Sequence, residues 1–145
     1  MKSYRFRLES VLRVRQLQER AAAQRLAVAV RMLHDAEAEL VRAQRSLEGL
    51  AAPTGRLSVG AVEWAHGQSD RMAEATRHRA DEMQAAEEAA RQARELWGGA
   101  RQRTATLERL DDRHLALWRS EFDRSEAAVL DDLATRRTAG GVDPS

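Results

Sequence analysis

The sequence contains no cysteine, which excludes disulfide bonds and thiolate chemistry. Aromatic residues make up only 4% of the chain, too little aromatic bulk for a large globular core. No segment approaches the roughly 18 consecutive apolar residues that a membrane-spanning helix needs. The first residues also lack the apolar stretch of a cleaved signal peptide. We therefore expect a soluble, cytoplasmic protein.

Apolar residues recur at heptad spacing between Ala22 and Leu50, with alanine in one phase and leucine in the other. Their alternating steps of four and three residues predict a helix that packs along a coiled-coil seam. The predicted seam of this first helix contains Leu26, Leu33, Leu40 and Leu47. A looser repeat predicts a second seam at Ala93, Leu96, Ala100, Leu107 and Leu110. Extended backwards, the first repeat places Arg15 and Glu19 on the seam, which indicates a stutter, or a locally different packing, between residues 12 and 22.

Proline and glycine divide the helical sequence into two arms. Pro53 and Gly55 predict a turn over about residues 51–60, and Ser58 can cap the helix that follows. We expect helices over about residues 3–50 and 61–137, within a single antiparallel coiled-coil domain over residues 1–139. Residues 140–145 are expected to form a disordered tail. The predicted fold is therefore all-α, a two-helix coiled-coil hairpin whose long second helix overhangs the first.

The unequal arms leave residues 107–133 without an expected partner inside the chain. This stretch is rich in apolar side chains, so it predicts a surface that binds another molecule. Alternatively, Gly98 and Gly99 could let the end of the second arm fold back as a third helix. The overhang is the favoured hypothesis, because a glycine pair alone is a weak helix breaker.

Sequence motifs give no support for catalysis. No phosphate-binding loop, nucleophile elbow or zinc-protease motif occurs. Glu74, His78 and Glu82 share one helix face but supply only one imidazole, so a solvated charged face is a better interpretation than a metal site. We predict that the protein is not an enzyme and has no cofactor, metal or small-molecule substrate.

Charge is unevenly distributed although the net charge is only +1. Residues 1–31 contain eight basic and two acidic residues, a net charge of +6, and residues 121–133 contain five acidic and one basic, a net charge of −4. These opposite charges favour antiparallel closure. The basic start followed by leucine heptads also resembles a basic-zipper DNA-binding protein. Phe6, Leu8 and Val11 interleave the arginines, however, and indicate a buried face, so nucleic-acid binding is kept only as an alternative.

Both ends of the chain carry segments of a recognisable kind. Residues 4–15 read Tyr-Arg-Phe-Arg-Leu-Glu-Ser-Val-Leu-Arg-Val-Arg, an aromatic and leucine run that leads into a charged helix. Residues 126–137 read Glu-Ala-Ala-Val-Leu-Asp-Asp-Leu-Ala-Thr-Arg-Arg, an acidic, leucine, alanine and basic succession. These two segments, and the order of short helix, turn, longer helix and tail, resemble the FliJ family of flagellar type III export proteins.

The resemblance implies a non-enzymatic, chaperone-like adaptor of the flagellar export apparatus, located peripherally at the cytoplasmic face of the inner membrane. Its implied partners are the hexameric export ATPase, bound like a stalk, the cytoplasmic domain of the export gate membrane protein, and export chaperones. The candidate ATPase-binding residues are Tyr4, Phe6, Leu8, Val11, Leu12, Trp118, Phe122, Asp131, Asp132 and Leu133. The candidate gate-binding residues, near the turn, are Glu39, Ala43, Leu50, Leu57, Val62 and Trp64. The alternatives are a basic-helix nucleic-acid-binding coiled coil and a coiled-coil scaffold unrelated to flagella.

Overall fold

A computed structural model describes residues 3–50 and 54–139, and these residues form an all-α fold. The first helix, α1, comprises Glu9–Glu48, and the second, α2, comprises Val59–Ala139. The two helices pack as an antiparallel hairpin, which confirms the predicted fold class. Neither described range contains a strand or a helix long and apolar enough to cross a membrane. The predicted turn residues 51–53 and the predicted tail, residues 140–145, lie outside the described residues.

Helix α1 begins at Glu9, later than the predicted start near residue 3. Residues 3–6 are not helical, and the carbonyl of Phe6 accepts a hydrogen bond from the N–H of Glu9 at 3.2 Å. In an extended segment, side chains two residues apart point to the same side, whereas in a helix they diverge. The extended backbone therefore allows Tyr4 and Phe6 to face α2 together.

Helix α2 begins at a side-chain cap, as the sequence predicts. The Oγ of Ser58 accepts a hydrogen bond from the backbone N–H of Ala61 at 3.2 Å, beside the main-chain carbonyl of Ser58, which accepts from the same N–H at 3.0 Å. Gly55 precedes the cap with a φ of 105°, which favours glycine. From Val59 the helix continues through Gly98 and Gly99 to Ala139. The alternative of a third, folded-back helix is therefore wrong.

The described residues belong to two compact units. The hairpin unit comprises residues 18–100, and the terminal unit combines residues 1–17 with residues 101–145. The buried apolar residues of the hairpin unit are all alanines, Ala22, Ala90 and Ala100. Small side chains on a seam let two helices approach closely, since the distance between helix axes depends on the side chains in contact. The predicted seam leucines of α1, from Leu26 to Leu47, are half-buried beside them.

The seam follows a more regular register than the sequence predicts. On α1 the burial repeats every seven residues back to Leu12, with Arg15 and Glu19 half-buried, so the predicted stutter is absent. On α2 the predicted seam residues Ala93, Ala100 and Leu107 are at least half-buried. Leu96 is not on the seam, because its side chain is 66% exposed.

The second row of the α2 seam lies one position later than predicted, at Ala90, Trp97 and Thr104. Ala90 and Thr104 are each only 2% exposed. The heptad phase predicted from the leucines of α2 is therefore wrong, because small and polar residues of α2 face the seam instead. Leu96 faces outwards, while Leu110, of the same predicted row, is half-buried beside the half-buried Asp111 of the observed row.

Candidate partner-binding site

An aromatic cluster in the terminal unit joins the start of the chain to α2. Tyr4 and Phe6 come from residues 3–8, the non-helical segment before α1 that is called the extended segment below, and Trp118 and Phe122 lie one turn apart on α2. The ring of Tyr4 is 6.0 Å from that of Trp118, and Trp118 stacks on Phe122 at 5.4 Å between ring centroids. Phe6 meets His114 edge-on at 5.9 Å and is 6% exposed. These contacts pack the extended segment against one face of α2.

Tyr4 also anchors the segment by hydrogen bonding. Its hydroxyl donates to Oδ1 of Asp111 at 2.5 Å and lies 3.1 Å from the main-chain carbonyl oxygen of the same residue. Desolvation of the phenol, the hydrogen bond to Asp111 and the charges of Asp111 and Asp112 together raise the pKa of Tyr4 to about 12. The phenol is therefore a neutral donor throughout the physiological pH range.

Beyond Phe122, α2 continues without being covered. All residues from Asp123 to Arg137 are exposed, including the apolar Val129, Leu130 and Leu133. Their spacing of one, three and four positions places them on one side of the helix. The unpartnered stretch is thus shorter than the predicted residues 107–133, because Tyr4 and Phe6 pack against α2 as far as Trp118.

The structure brings together only part of the predicted ATPase-binding set. Tyr4, Phe6, Trp118 and Phe122 form the cluster. Leu12 is half-buried, while Leu8 and Val11 are largely exposed. The remaining members, Asp131, Asp132 and Leu133, lie on the exposed end of α2, where Asp132 pairs with Arg136 at 3.0 Å.

Asp111 and His114 also belong to this cluster, although neither was among the predicted site residues. Asp111 follows Thr104 and precedes Trp118 at seven-residue steps, so the correct phase of the α2 repeat would have indicated it. His114 lies one helical turn before Trp118, which places both rings on the same face. Helical spacing therefore indicated that Asp111 and His114 belong to the cluster, whereas their polar side chains did not.

A groove of about 520 Å³ lies next to the turn in the hairpin unit. Four predicted gate-binding residues line it, Leu50, Leu57, Val62 and Trp64. The side chain of Trp64 is 67% exposed, which is unusual for so large an apolar residue. The other two predicted residues lie elsewhere: Glu39 pairs with Arg42 at 2.7 Å, and Ala43 is half-buried in the seam.

Charged groups on the outer faces pair with one another along the helices. Arg77 donates a hydrogen bond to Glu74 and lowers the pKa of that carboxyl, and Arg79 acts on Glu82 in the same way. His78 lies 3.3 Å from Glu82. Within residues 3–50 and 54–139, no group of three or more histidine, aspartate or glutamate side chains is arranged to hold a metal ion. Glu74, His78 and Glu82 therefore belong to exposed ion pairs between residues three or four positions apart on α2.

The fold and these surfaces define a class of protein: a two-helix coiled coil that presents exposed apolar and charged surfaces to partners. The flagellar FliJ protein family matches residues 4–141, so the chain belongs to this family. Membership gives the protein a role associated with flagellar type III export, in a family of structural export components that is not a known enzyme family. No curated protein and no solved structure matches the chain.

Proposed function

We propose that this protein is a non-enzymatic adaptor that binds the hexameric flagellar export ATPase through its terminal unit, like the stalk of a rotary ATPase. It promotes assembly and activity of the ATPase ring in the cytoplasm, at the cytoplasmic face of the inner membrane. The family match over residues 4–141 is the observation that carries this proposal. The exposed end of α2 supports it, because a helix with an uncovered apolar row is suited to docking.

The chemistry of this end indicates what the ATPase surface must offer. Burying Val129, Leu130 and Leu133 against a partner stabilises the complex by about 25 cal/mol for each Å² of apolar surface removed from water. Asp131 and Asp132 lie between them and favour basic groups on the partner. An apolar surface flanked by arginine or lysine would therefore complement the end of α2.

The ATPase assignment is tested by a pull-down with the export ATPase of the same organism, recording ATPase activity and ring formation. Leu133, which is 54% exposed, is changed to Asp, and a second variant lacks residues 126–145. We expect both variants to remain helical and to bind the ATPase at least tenfold more weakly. The truncated chain lacks the apolar row, and the aspartate at position 133 would have to lose its hydration when the row is buried in the complex. Val59→Asp is the control, since Val59 is also exposed but belongs to the hairpin unit. Unchanged binding by the truncated chain would contradict the proposal.

We further propose that the groove beside the turn binds the cytoplasmic domain of the export gate, and that export chaperones for late substrates are additional partners. Trp64 is the main anchor, because exposed tryptophans commonly dominate interface energetics. Trp64→Ala is expected to weaken gate binding at least tenfold without affecting the ATPase. Leu133→Asp should show the opposite pattern, so each variant is the control for the other. Equal losses in both assays would argue against two separate surfaces.

The nucleic-acid alternative is less compatible with the packing of the basic segment. A basic helix that fills a DNA groove needs its N-terminal residues free and helical. Residues 3–6 are instead extended, and Phe6 is buried against α2. A shift of duplex DNA that weakens steeply with salt would revive this alternative, because phosphate contacts release counterions.

A further inference from the structure

The hairpin unit carries a second apolar groove, which the proposed function does not use. It runs between the helices, encloses about 440 Å³, and is lined mainly by Val28 and Met32 of α1 and by Ala86 and Ala89 of α2. Val28 is 47% exposed and Met32 is 61% exposed. Leu96, also exposed, follows Ala89 by seven residues and so continues this face of α2.

The shape of the groove suits a helix. Alanines along one side allow a third or fourth helix to approach closely, and the flexible thioether of Met32 adapts to the incoming surface. Large exposed apolar side chains that line one groove are uncommon on a helix that meets only water. The groove therefore indicates an interface with another helical surface.

The two rims of the groove carry opposite charges. Arg25 lines the groove on α1, and Arg31 follows the lining residue Gln24 by seven positions. On α2, Asp81, Glu88 and Glu95 repeat at seven-residue steps, and Glu88 directly precedes the lining residue Ala89, so these residues form an acidic row beside the groove. The surface thus has a basic side and an acidic side along the same apolar centre.

Most neighbouring charges in this unit already have partners on their own helix. Glu39 pairs with Arg42, Glu74 with Arg77, and Glu88 with Arg91. Four rim residues differ, because no ion pair is found for them in the part of the chain that the structure describes: Arg25, Arg31, Asp81 and Glu95. These charges are available to a partner.

We propose that this groove binds the same groove of a second copy of the chain, forming a four-helix dimer. A two-fold axis parallel to the helices places α1 of one copy against α2 of the other, so that each basic rim meets an acidic rim. The apolar centres, around Met32 and Ala89, then cover one another. An anionic lipid surface or a nucleic acid fits less well, because the acidic row repels phosphate.

The experiment is sedimentation velocity of the full chain over a concentration series. We expect a reversible dimer, and Met32→Glu should weaken dimerisation at least tenfold, since it brings a charge into the apolar centre. The matched control is Val41→Glu, an exposed apolar residue of α1 that does not line the groove. Circular dichroism should show equal helicity for all three proteins.

Charge reversal tests the proposed arrangement of the rims. In the dimer, Arg31 of one copy lies near Asp81 of the other, because the two residues are at about the same level of the hairpin. Arg31→Glu alone should weaken the dimer, and adding Asp81→Arg should restore most of the loss. The compensation must disappear at high salt, because exposed ion pairs are screened.

Three results would overturn the proposal. The first is a chain that stays monomeric up to about 1 mM, a concentration at which even weak specific dimers form. The second is a dimer that Met32→Glu and Val41→Glu affect equally. The third is a monomeric chain whose groove captures a different helical protein, which would assign the groove to that partner.

Discussion

The hydroxyl of Tyr4 donates a hydrogen bond to the carboxylate of Asp111, a residue 107 positions further along the chain. The same hydroxyl is 3.1 Å from the main-chain oxygen of Asp111. These contacts fix the position of the extended segment along α2, because sliding by even one residue would break both of them. The adjacent ring contacts with Trp118 depend on that register.

Titration of Tyr4 provides a direct test of this contact. The chain contains a single tyrosine, so the near-ultraviolet absorbance of phenolate reports on Tyr4 alone. We expect the midpoint of titration in the folded protein at about 12, against the ordinary value of 10.0. Because the folded state holds the proton more tightly, this stabilisation is complete below pH 10 and is lost as pH rises towards 12. Asp111→Ala should bring the midpoint back towards 10, and an unchanged midpoint would contradict the hydrogen bond.

Removing the ring of Phe6 should detach the extended segment. Phe6→Ala is expected to lower the free energy of unfolding by about 2–3 kcal/mol, because it removes a buried aromatic side chain. Urea unfolding, followed by tryptophan fluorescence, measures the change. Leu130→Ala is the control, since Leu130 is largely exposed and should cost less than about 0.5 kcal/mol. Equal effects would mean that Phe6 contributes no more than a surface residue.

The alanine seam should not tolerate enlargement. Ala90→Leu places three extra carbons where two helices are in close contact, and should destabilise the protein by about 1–3 kcal/mol. Ala75→Leu makes the same change at an exposed position of α2 and should be nearly neutral. Thermal unfolding of the two variants side by side gives the comparison. A stabilised Ala90→Leu protein would show that the seam is loosely packed.

The cap of α2 contributes a smaller, local amount. Ser58→Ala removes the side-chain acceptor for the N–H of Ala61, leaving only the main-chain carbonyl of Ser58, and should cost about 1 kcal/mol. Ser58→Asp should retain most of the stability, because a carboxylate accepts the same hydrogen bond and interacts favourably with the start of the helix. Chemical denaturation curves distinguish the two variants. If both lost the same amount, the cap would not be the cause.

The alternating leucines and alanines predicted the helix α1, and together with Pro53, Gly55 and the uneven charge they predicted the antiparallel hairpin. They failed where polar residues occupy the seam. Arg15 and Glu19 look incompatible with a buried position, yet both are half-buried, since long polar side chains can cover a seam with their aliphatic parts. On α2 the heptad row that contains Leu96 was predicted to face the seam, whereas the buried row contains the polar Thr104.

The candidate site was predictable at the level of residues but not of geometry. Tyr4, Phe6, Trp118 and Phe122 were all selected from the sequence. They come together where residues 3–6 are not helical, although the sequence analysis predicted that α1 begins near residue 3. Helical periodicity cannot predict the non-helical conformation of residues 3–6, because that conformation depends on contacts with a distant part of the chain.

The separation between Tyr4 and Asp111 also has a consequence for protein synthesis. Residues 3–8 leave the ribosome well before their partners on α2, because Asp111 and Trp118 are made more than 100 residues later. At about 5–20 residues per second, the segment waits for several seconds or more with Tyr4 and Phe6 uncovered. Throughout that interval these two aromatic side chains are open to chaperones and proteases, because the residues of α2 that cover them have not yet been made.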